Sequence, residues 1–185
     1  MATREEKTMA KKITYGHWTS AVGEFNPLEY FGFIYLVYCK ATKRFYLGKK
    51  QFISQSKVKV AGSTRRKTVI RESDWKTYCT SSEYIKKDLV LHGKESFDFY
   101  IVGLYKTKGG LRFAEVNMLH KLDASVLKLD KDNRLFYNLA IDAIRFVPTE
   151  HNPDLEKCIR KIMKDKTKDD QISKKTVQPK VTAVV

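Results

Sequence analysis

The chain predicts a small α/β domain in which short strands and helices alternate, and three patterns carry that expectation. Apolar runs at 32–39 and 45–50 are joined by the polar stretch Lys40-Ala-Thr-Lys-Arg44, the pattern of a β-hairpin. Residues Ser96 to Tyr105 alternate and then become continuously apolar, as a third strand does. Leu111 to Leu122 repeats its apolar residues at helical spacing.

Taken in order, residues 1–28 are polar and irregular, with Tyr15, Trp18, Phe25 and Pro27 scattered among them. They predict an N-terminal extension that packs loosely or docks on the core. The hairpin follows at about 32–48, and its first strand is apolar on both faces, which places it centrally in a sheet. Residues 51–70 have weak strand character (Val58, Val60, Val69, Ile70) around Ala61-Gly-Ser-Thr64, which fits either a basic β-ribbon or a mobile loop. Thr80-Ser-Ser-Glu83 has the form of a capping box, so a helix is expected from there to about His92, closed by Gly93. After the helix at 111–122, residues 123–135 read as loop and Phe136 to Ile141 as a short extended segment, with Pro148 and Pro153 marking the domain end. Beyond 154 the chain is rich in Lys and Asp, and Leu155, Ile159, Ile162 and Met163 predict a short amphipathic helix before a disordered basic tail. The expected organisation is an extension at 1–28, a domain at 29–148 with a basic insertion at about 50–75, and a basic, partly helical tail at 149–185.

Charge narrows the partners. Against 21 acidic residues stand 36 Lys and Arg, for a net +15 over 185 residues. The window from Lys40 to Lys76 holds twelve of those cations and only two acids, Glu72 and Asp74. A solvated surface mixes signs, so a one-sign block among strand-like runs predicts a face that tracks phosphates. The three cysteines, Cys39, Cys79 and Cys158, are far apart with no Cys-x-x-Cys pair, which argues against structural zinc and for free buried thiols. The first residues lack an apolar signal core and no apolar run reaches membrane-spanning length, so a soluble, cytoplasmic protein with no membrane partner is expected.

Three side chains carry the candidate chemistry. With about 100° per helical residue, Glu115 lies within about 60° of Leu111, Met118, Leu119 and Leu122, in the middle of the apolar arc. A carboxylate there needs a cation, a metal or a solvent-filled cleft, because its desolvation costs several kcal/mol, to order of magnitude. A structural salt bridge to one of the many lysines satisfies the same requirement. Tyr35 and Tyr46 sit one on each arm of the hairpin, and Tyr46 is followed by Leu47, Gly48, Lys49 and Lys50. Gly48 permits close backbone approach, and the lysines offer cations to a phosphate or to a phenol whose proton must leave. Two phenols and an inward acid inside a basic protein point to phosphodiester cleavage.

Gly32-Phe-Ile-Tyr35 and, eleven residues on from that tyrosine, Tyr46-Leu-Gly48 resemble the two halves of the GIY-YIG nuclease signature. Cys79-Thr-Ser-Ser before a helix ending Leu91-His-Gly93, then Phe97-Asp-Phe99, is similar to the same region of phage homing nucleases. Glu115 matches that family's metal-binding glutamate and Tyr137-Asn-Leu-Ala140 its terminal asparagine motif, so the resemblance spans about residues 31–141. It implies a three-stranded antiparallel sheet flanked by helices. It further implies a phage-encoded homing- or segregation-type enzyme that hydrolyses double-stranded DNA in the host cell. One Mg²⁺ or Mn²⁺ would be held by Glu115, with Tyr35 as general base for water, Tyr46 orienting water or phosphate, and Asn138 supporting the site. The family's arginine has no counterpart at the usual distance, where Ser56 stands; Arg66 and Arg71 are the candidates, with Arg65 next. Lys49, Lys50, Arg65, Lys67 and Lys76 are the expected DNA contacts. One metal centre cuts one strand per visit, so a double-strand break needs a homodimer or a turn-over on the site. The alternative is a non-catalytic nucleic-acid-binding protein on the same scaffold.

Overall fold

A computed structural model describes residues 13–59, 62, 64–142, 150 and 152–176, with side chains in the last helix described to 169. Pro148 and the tail beyond 176 lie outside the described residues. Strands β1 (Thr19–Ser20), β2 (Gly32–Cys39), β3 (Arg44–Gln51), β4 (Ile53–Lys59), β5 (Arg66–Glu72) and β6 (Phe97–Tyr105) combine with helices α1 (Glu83–His92), α2 (Lys108–Lys121) and α3 (Leu155–Thr176). The main sheet runs β1-β6-β2-β3, while β4 and β5 form a separate two-stranded ribbon.

The antiparallel trio β6-β2-β3 is the expected sheet, and β2 is its centre with every residue buried. Alternation divides β2 between two cores. Ile34, Leu36 and Tyr38 join Phe45, Leu47, Leu111, Met118, Phe136, Leu155 and Ile159 on the side covered by α2 and α3. Phe33, Tyr35, Val37 and Cys39 join Trp18, Phe52, Trp75, Ile85, Phe97 and Ile101 on the other, beneath α1. β6 slips register against β2 between Ile34, which faces Gly103, and Tyr35, which faces Ile101. That bulge flips the phase of β6, so Val102 and Tyr105 both enter the α2 side while Ile101 and Leu104 pack on the other. This is the physical source of the change from alternating to continuous apolar pattern in the sequence.

A fourth strand adds to the expected three. Thr19–Ser20 pairs in parallel with Tyr100 and Ile101, and the Ala21 amide continues the ladder to the Ile101 carbonyl at 2.9 Å. Trp18 draws this segment in: it is 5% exposed, its indole N–H donates to the Trp75 carbonyl at 2.7 Å, and its ring meets Phe33, Tyr35 and Phe99. Residues 13–28 thus dock on the core and cover the open edge of β6, which otherwise presents unpaired amides and carbonyls.

Between 51 and 72 the chain forms the β-ribbon, Ile53 opposite Glu72 and Lys59 opposite Arg66. The capping box expected at Thr80–Glu83 does not form. α1 begins at Glu83 with Ser82 as its N-cap, Thr80 Oγ1 accepts the Ser82 amide at 3.0 Å, and Glu83 pairs with Lys86. Thr80 is buried, and its local turn competes successfully with the cap. Gly93 closes the helix at φ +77°, as expected.

α2 starts three residues earlier than its apolar pattern, because Thr107 Oγ1 accepts the Gly110 amide and Glu150 accepts the amides of Lys106 and Thr107. Residues 136–141 contribute one bridge, Phe45 with Phe136, in place of an extended strand. α3 is longer than the short helix expected. Leu155 and Ile159 are buried, Cys158, Ile162 and Met163 pack beside them, and Lys166 reaches Asp98 at 2.6 Å. Cys39 is buried, Cys79 and Cys158 are half-buried, and all three are free thiols. Among the described residues no helix is long and apolar enough to cross a membrane.

Docking of the N-terminal segment has a measurable consequence. Trp18→Ala is expected to cost about 3–5 kcal/mol, the range for emptying a buried aromatic site. Urea unfolding reads this directly; a loss below about 1 kcal/mol, as for a surface residue, would contradict the packing described.

Candidate active site

The site forms at the edge of the sheet where β3 is the last strand. Tyr35 on β2 faces Gly48 on β3, and its side chain leans across that glycine toward the edge. A Cβ at position 48 would lie 2.5 Å from both Cζ and the hydroxyl of Tyr35 and 2.9 Å from the Tyr46 ring. Glycine is therefore required for the phenol to pass, and not for a turn or a positive φ. Tyr46 stands on the same face two residues before, with the two ring centroids 6.0 Å apart. Trp18 and Tyr78 close the other sides at 5.2 and 6.0 Å. The β6 bulge lies opposite Tyr35.

The Tyr35 hydroxyl is buried and makes no hydrogen bond of ordinary geometry, whereas Tyr46 Oη lies 3.1 Å from Ser81 Oγ. Burial pushes the Tyr35 phenol well above its usual value, and the neighbouring Tyr46 and Tyr78 phenols and Glu115 push the same way. Burial also raises Tyr46, with Glu115 and Tyr78 adding to it and the Ser81 contact opposing. Both rings, protonated at neutral pH like any tyrosine, therefore resist ionisation further into the alkaline range.

Glu115 reaches this edge from the opposite layer. It projects from α2, its side chain is 14% exposed, and it forms an ion pair with Lys49 of β3. Its partner Lys49 directly follows Gly48 on β3, so the acid and the tyrosine pair flank the same edge strand, and Glu115 raises both phenols electrostatically. The salt bridge weighed from sequence is therefore present, and it sits at the site. Asn138 closes the same edge: its amide donates to the Leu47 carbonyl at 2.9 Å and its oxygen accepts the Leu47 amide at 3.0 Å. With Phe45 paired to Leu135 and Tyr137, this pins β3 between Tyr46 and Gly48. Asn138 is a positioning residue, 7% exposed and bonded to backbone.

The cations are arranged differently from expectation. Lys49 is held by Glu115 and Lys50 by Asp74 at 2.6 Å, and burial, not either lysine, sets the direction of both phenols. Lys50 lies 3.9 Å above the Tyr78 ring and is the cation nearest the aromatic cluster. Arg66 and Arg71 are on the ribbon, exposed, with no described contact to Tyr35, Tyr46 or Glu115. Arg66 stands six residues from the end of β5, about 20 Å along the strand, because a strand rises about 3.3 Å per residue. Arg65 and Lys67 are exposed near the same end, and Lys76 pairs with Glu72 and overlies Trp75. Tyr78 and Ser81 were not anticipated. Their only signal was the uncharged run Thr80-Ser-Ser82 behind a tyrosine, which also has the form of a helix cap.

A divalent ion has one carboxylate here, Glu115, and among the described residues no three His, Cys, Asp or Glu side chains cluster. That donor set suits Mg²⁺, which keeps several waters and binds through one or two carboxylates plus substrate phosphate. Binding requires Lys49 to release Glu115.

A family model described as "Putative endonuclease segE, GIY-YIG domain" matches residues 17–141. The match covers more than half of the chain and takes in Trp18, both tyrosines, Glu115 and Asn138; the chain belongs to this GIY-YIG endonuclease family. No curated protein and no solved structure matches it.

Two outcomes test the geometry. Gly48→Ala is expected to lose about 1–3 kcal/mol by overpacking and to shift the near-ultraviolet circular dichroism of the tyrosine pair. Retained stability with an unchanged spectrum would show that the Tyr35 ring does not cross position 48. The second outcome concerns alkaline pH. An unfolded tyrosine ionises near pH 10 while folded Tyr35 keeps its proton, so stability falls as pH rises above about 10. Tyr35→Phe is expected to flatten that fall by about 1.4 kcal/mol per pH unit, one proton's worth, without loss at pH 7. Urea midpoints at several pH values from 8 to 11 give the slope for each protein.

Proposed function

We propose that this protein is a metal-dependent endonuclease that hydrolyses phosphodiester bonds in double-stranded DNA, of the phage homing or segregation type. The observation that carries the reading is the placement of Tyr35, Tyr46 and Glu115 around the edge strand β3, beside Lys49. The Tyr35 hydroxyl has a buried ring, no ordinary hydrogen bond and two phenol neighbours. It is suited to hold a water or a phosphate oxygen. Tyr46 and Ser81 offer a second pair of hydroxyls at the same edge.

Glu115 would hold the divalent ion, which supplies charge stabilisation at the phosphate and an acidified water. Lys49, released from Glu115, is placed to neutralise a phosphate oxygen, and Lys50 adds a second positive charge across Tyr78. Because both phenols are held protonated, they act first as hydrogen-bond donors. Tyr35 acts as a base only once nearby positive charge lowers it. A non-catalytic nucleic-acid-binding protein is the second reading, favoured by the ion pair that already satisfies Glu115.

Plasmid nicking with Mg²⁺, Mn²⁺ or EDTA separates the two. Cutting is expected with either metal and not with EDTA. Glu115→Gln and Tyr35→Phe are each expected to slow it by about 10²–10³, the usual effect of removing one group that stabilises transition-state charge. A wild type that binds DNA yet cuts nothing with any divalent ion would sink the enzymatic reading in favour of the second.

A further inference from the structure

The β4–β5 ribbon is not used by the catalytic edge, yet it is exposed and nearly all of its charges are positive. Residues 54–59 and 64–68 are all exposed, so both faces of the distal ribbon stand in solvent. A two-stranded hairpin open on both sides is marginally stable alone and gains from a partner. Its composition says of what kind: between 53 and 72 lie Lys57, Lys59, Arg65, Arg66, Lys67 and Arg71 against the single acid Glu72, which is engaged by Lys76.

We infer that this ribbon is a DNA-reading arm that lies in the major groove of the duplex to one side of the cut. The inference rests on the endonuclease reading for its substrate. The major groove is about 12 Å wide and admits a two-stranded ribbon. Seven residues per strand at about 3.3 Å each give about 20 Å, which spans about six base pairs at 3.4 Å per step.

The register divides the side chains between two faces. Gln55, Lys57, Lys59, Arg66 and Thr68 share one face; Ser54, Ser56, Lys67 and Arg71 share the other. The first face holds the types that read base edges, with Gln55 suited to adenine, Arg66 and the lysines to guanine, and Thr68 to either a polar edge or a thymine methyl. Cations on both faces meet the phosphates that wall the groove. A cleft of about 340 Å³ at the root of the ribbon is lined by Ile53 and Ser54 together with Lys49, Lys50, Lys108 and Arg112. The acid Asp74 also lines this cleft and pairs with Lys50, as Asp142 does with Arg112, so a phosphate backbone leaving the ribbon exchanges these carboxylates for its own charge on the way to Lys49.

The test uses the full chain. Duplexes randomised around a fixed nick are cut and their ends sequenced, and binding of a labelled 30-base-pair duplex is followed in parallel for the inactive Glu115→Gln protein. Wild type is expected to show base preference over about six positions on one side of the cut. Gln55→Ala with Thr68→Val is expected to erase it at one or two adjacent positions. Lys57→Ala/Lys59→Ala/Lys67→Ala in the Glu115→Gln background is expected to weaken duplex binding at least tenfold. The same triple change is expected to reduce the slope of log affinity against log salt by about 2–3, near 0.9 for each phosphate no longer neutralised. These exposed positions leave the core intact, and circular dichroism verifies folding.

Preference and duplex affinity both unchanged in the ribbon variants would overturn the inference and mark the ribbon as a surface for another partner. If wild type cuts nothing, the binding arm still decides. Weakened duplex affinity then supports the arm while the nuclease reading fails, and unchanged affinity defeats the arm independently of cleavage.

Discussion

The passage of the Tyr35 ring over Gly48 is the constraint on which the site depends. Tyr35 belongs to the central strand, where a side chain ordinarily meets only core neighbours. Its hydroxyl reaches the edge because the adjacent strand has no Cβ at the facing position. Everything around the ring holds it there: Trp18 from the N-terminal segment, Tyr46 from β3, Tyr78 from the turn before α1, and the bulge in β6 behind it. The signature glycine and the signature tyrosine are thus two halves of one packing contact.

A sheet edge is also where residues from its two faces come together. Tyr35 and Tyr46 pack in the aromatic core under α1, while Glu115 rises from α2 on the opposite side. Through the middle of a sheet such groups are separated by backbone; around the last strand they are not. That solution leaves β3 exposed, and Asn138 answers it by matching the Leu47 amide and carbonyl with its own side chain. The edge is satisfied at Leu47 without a further strand.

The electrostatic state follows from the same packing. Burial raises both phenols despite a net charge of +15, and the cations Lys49 and Lys50 are each paired with a carboxylate, Glu115 and Asp74. A high bulk charge therefore says little about the pKa of one ring. It says more about the ribbon, where six cations stand in solvent with one acid among them.

Much of the scaffold was legible in the residues. The double-faced apolar run at 32–39 announced a central strand, Gly93 announced a helix end, and the misplaced acid on the 111–122 pattern announced Glu115 as a group needing a partner. These are local periodicities, and local backbone geometry alone decides them. What the chain could not show along its length was which distant groups would share a volume. Trp18 and Thr19–Ser20 completing the sheet, Tyr78 and Ser81 joining the phenols, Arg66 standing far out on a ribbon, and Lys49 as the partner of Glu115 all depend on contacts between residues tens of positions apart. Such contacts are set by how two cores close around one sheet, and only the folded chain resolves that competition.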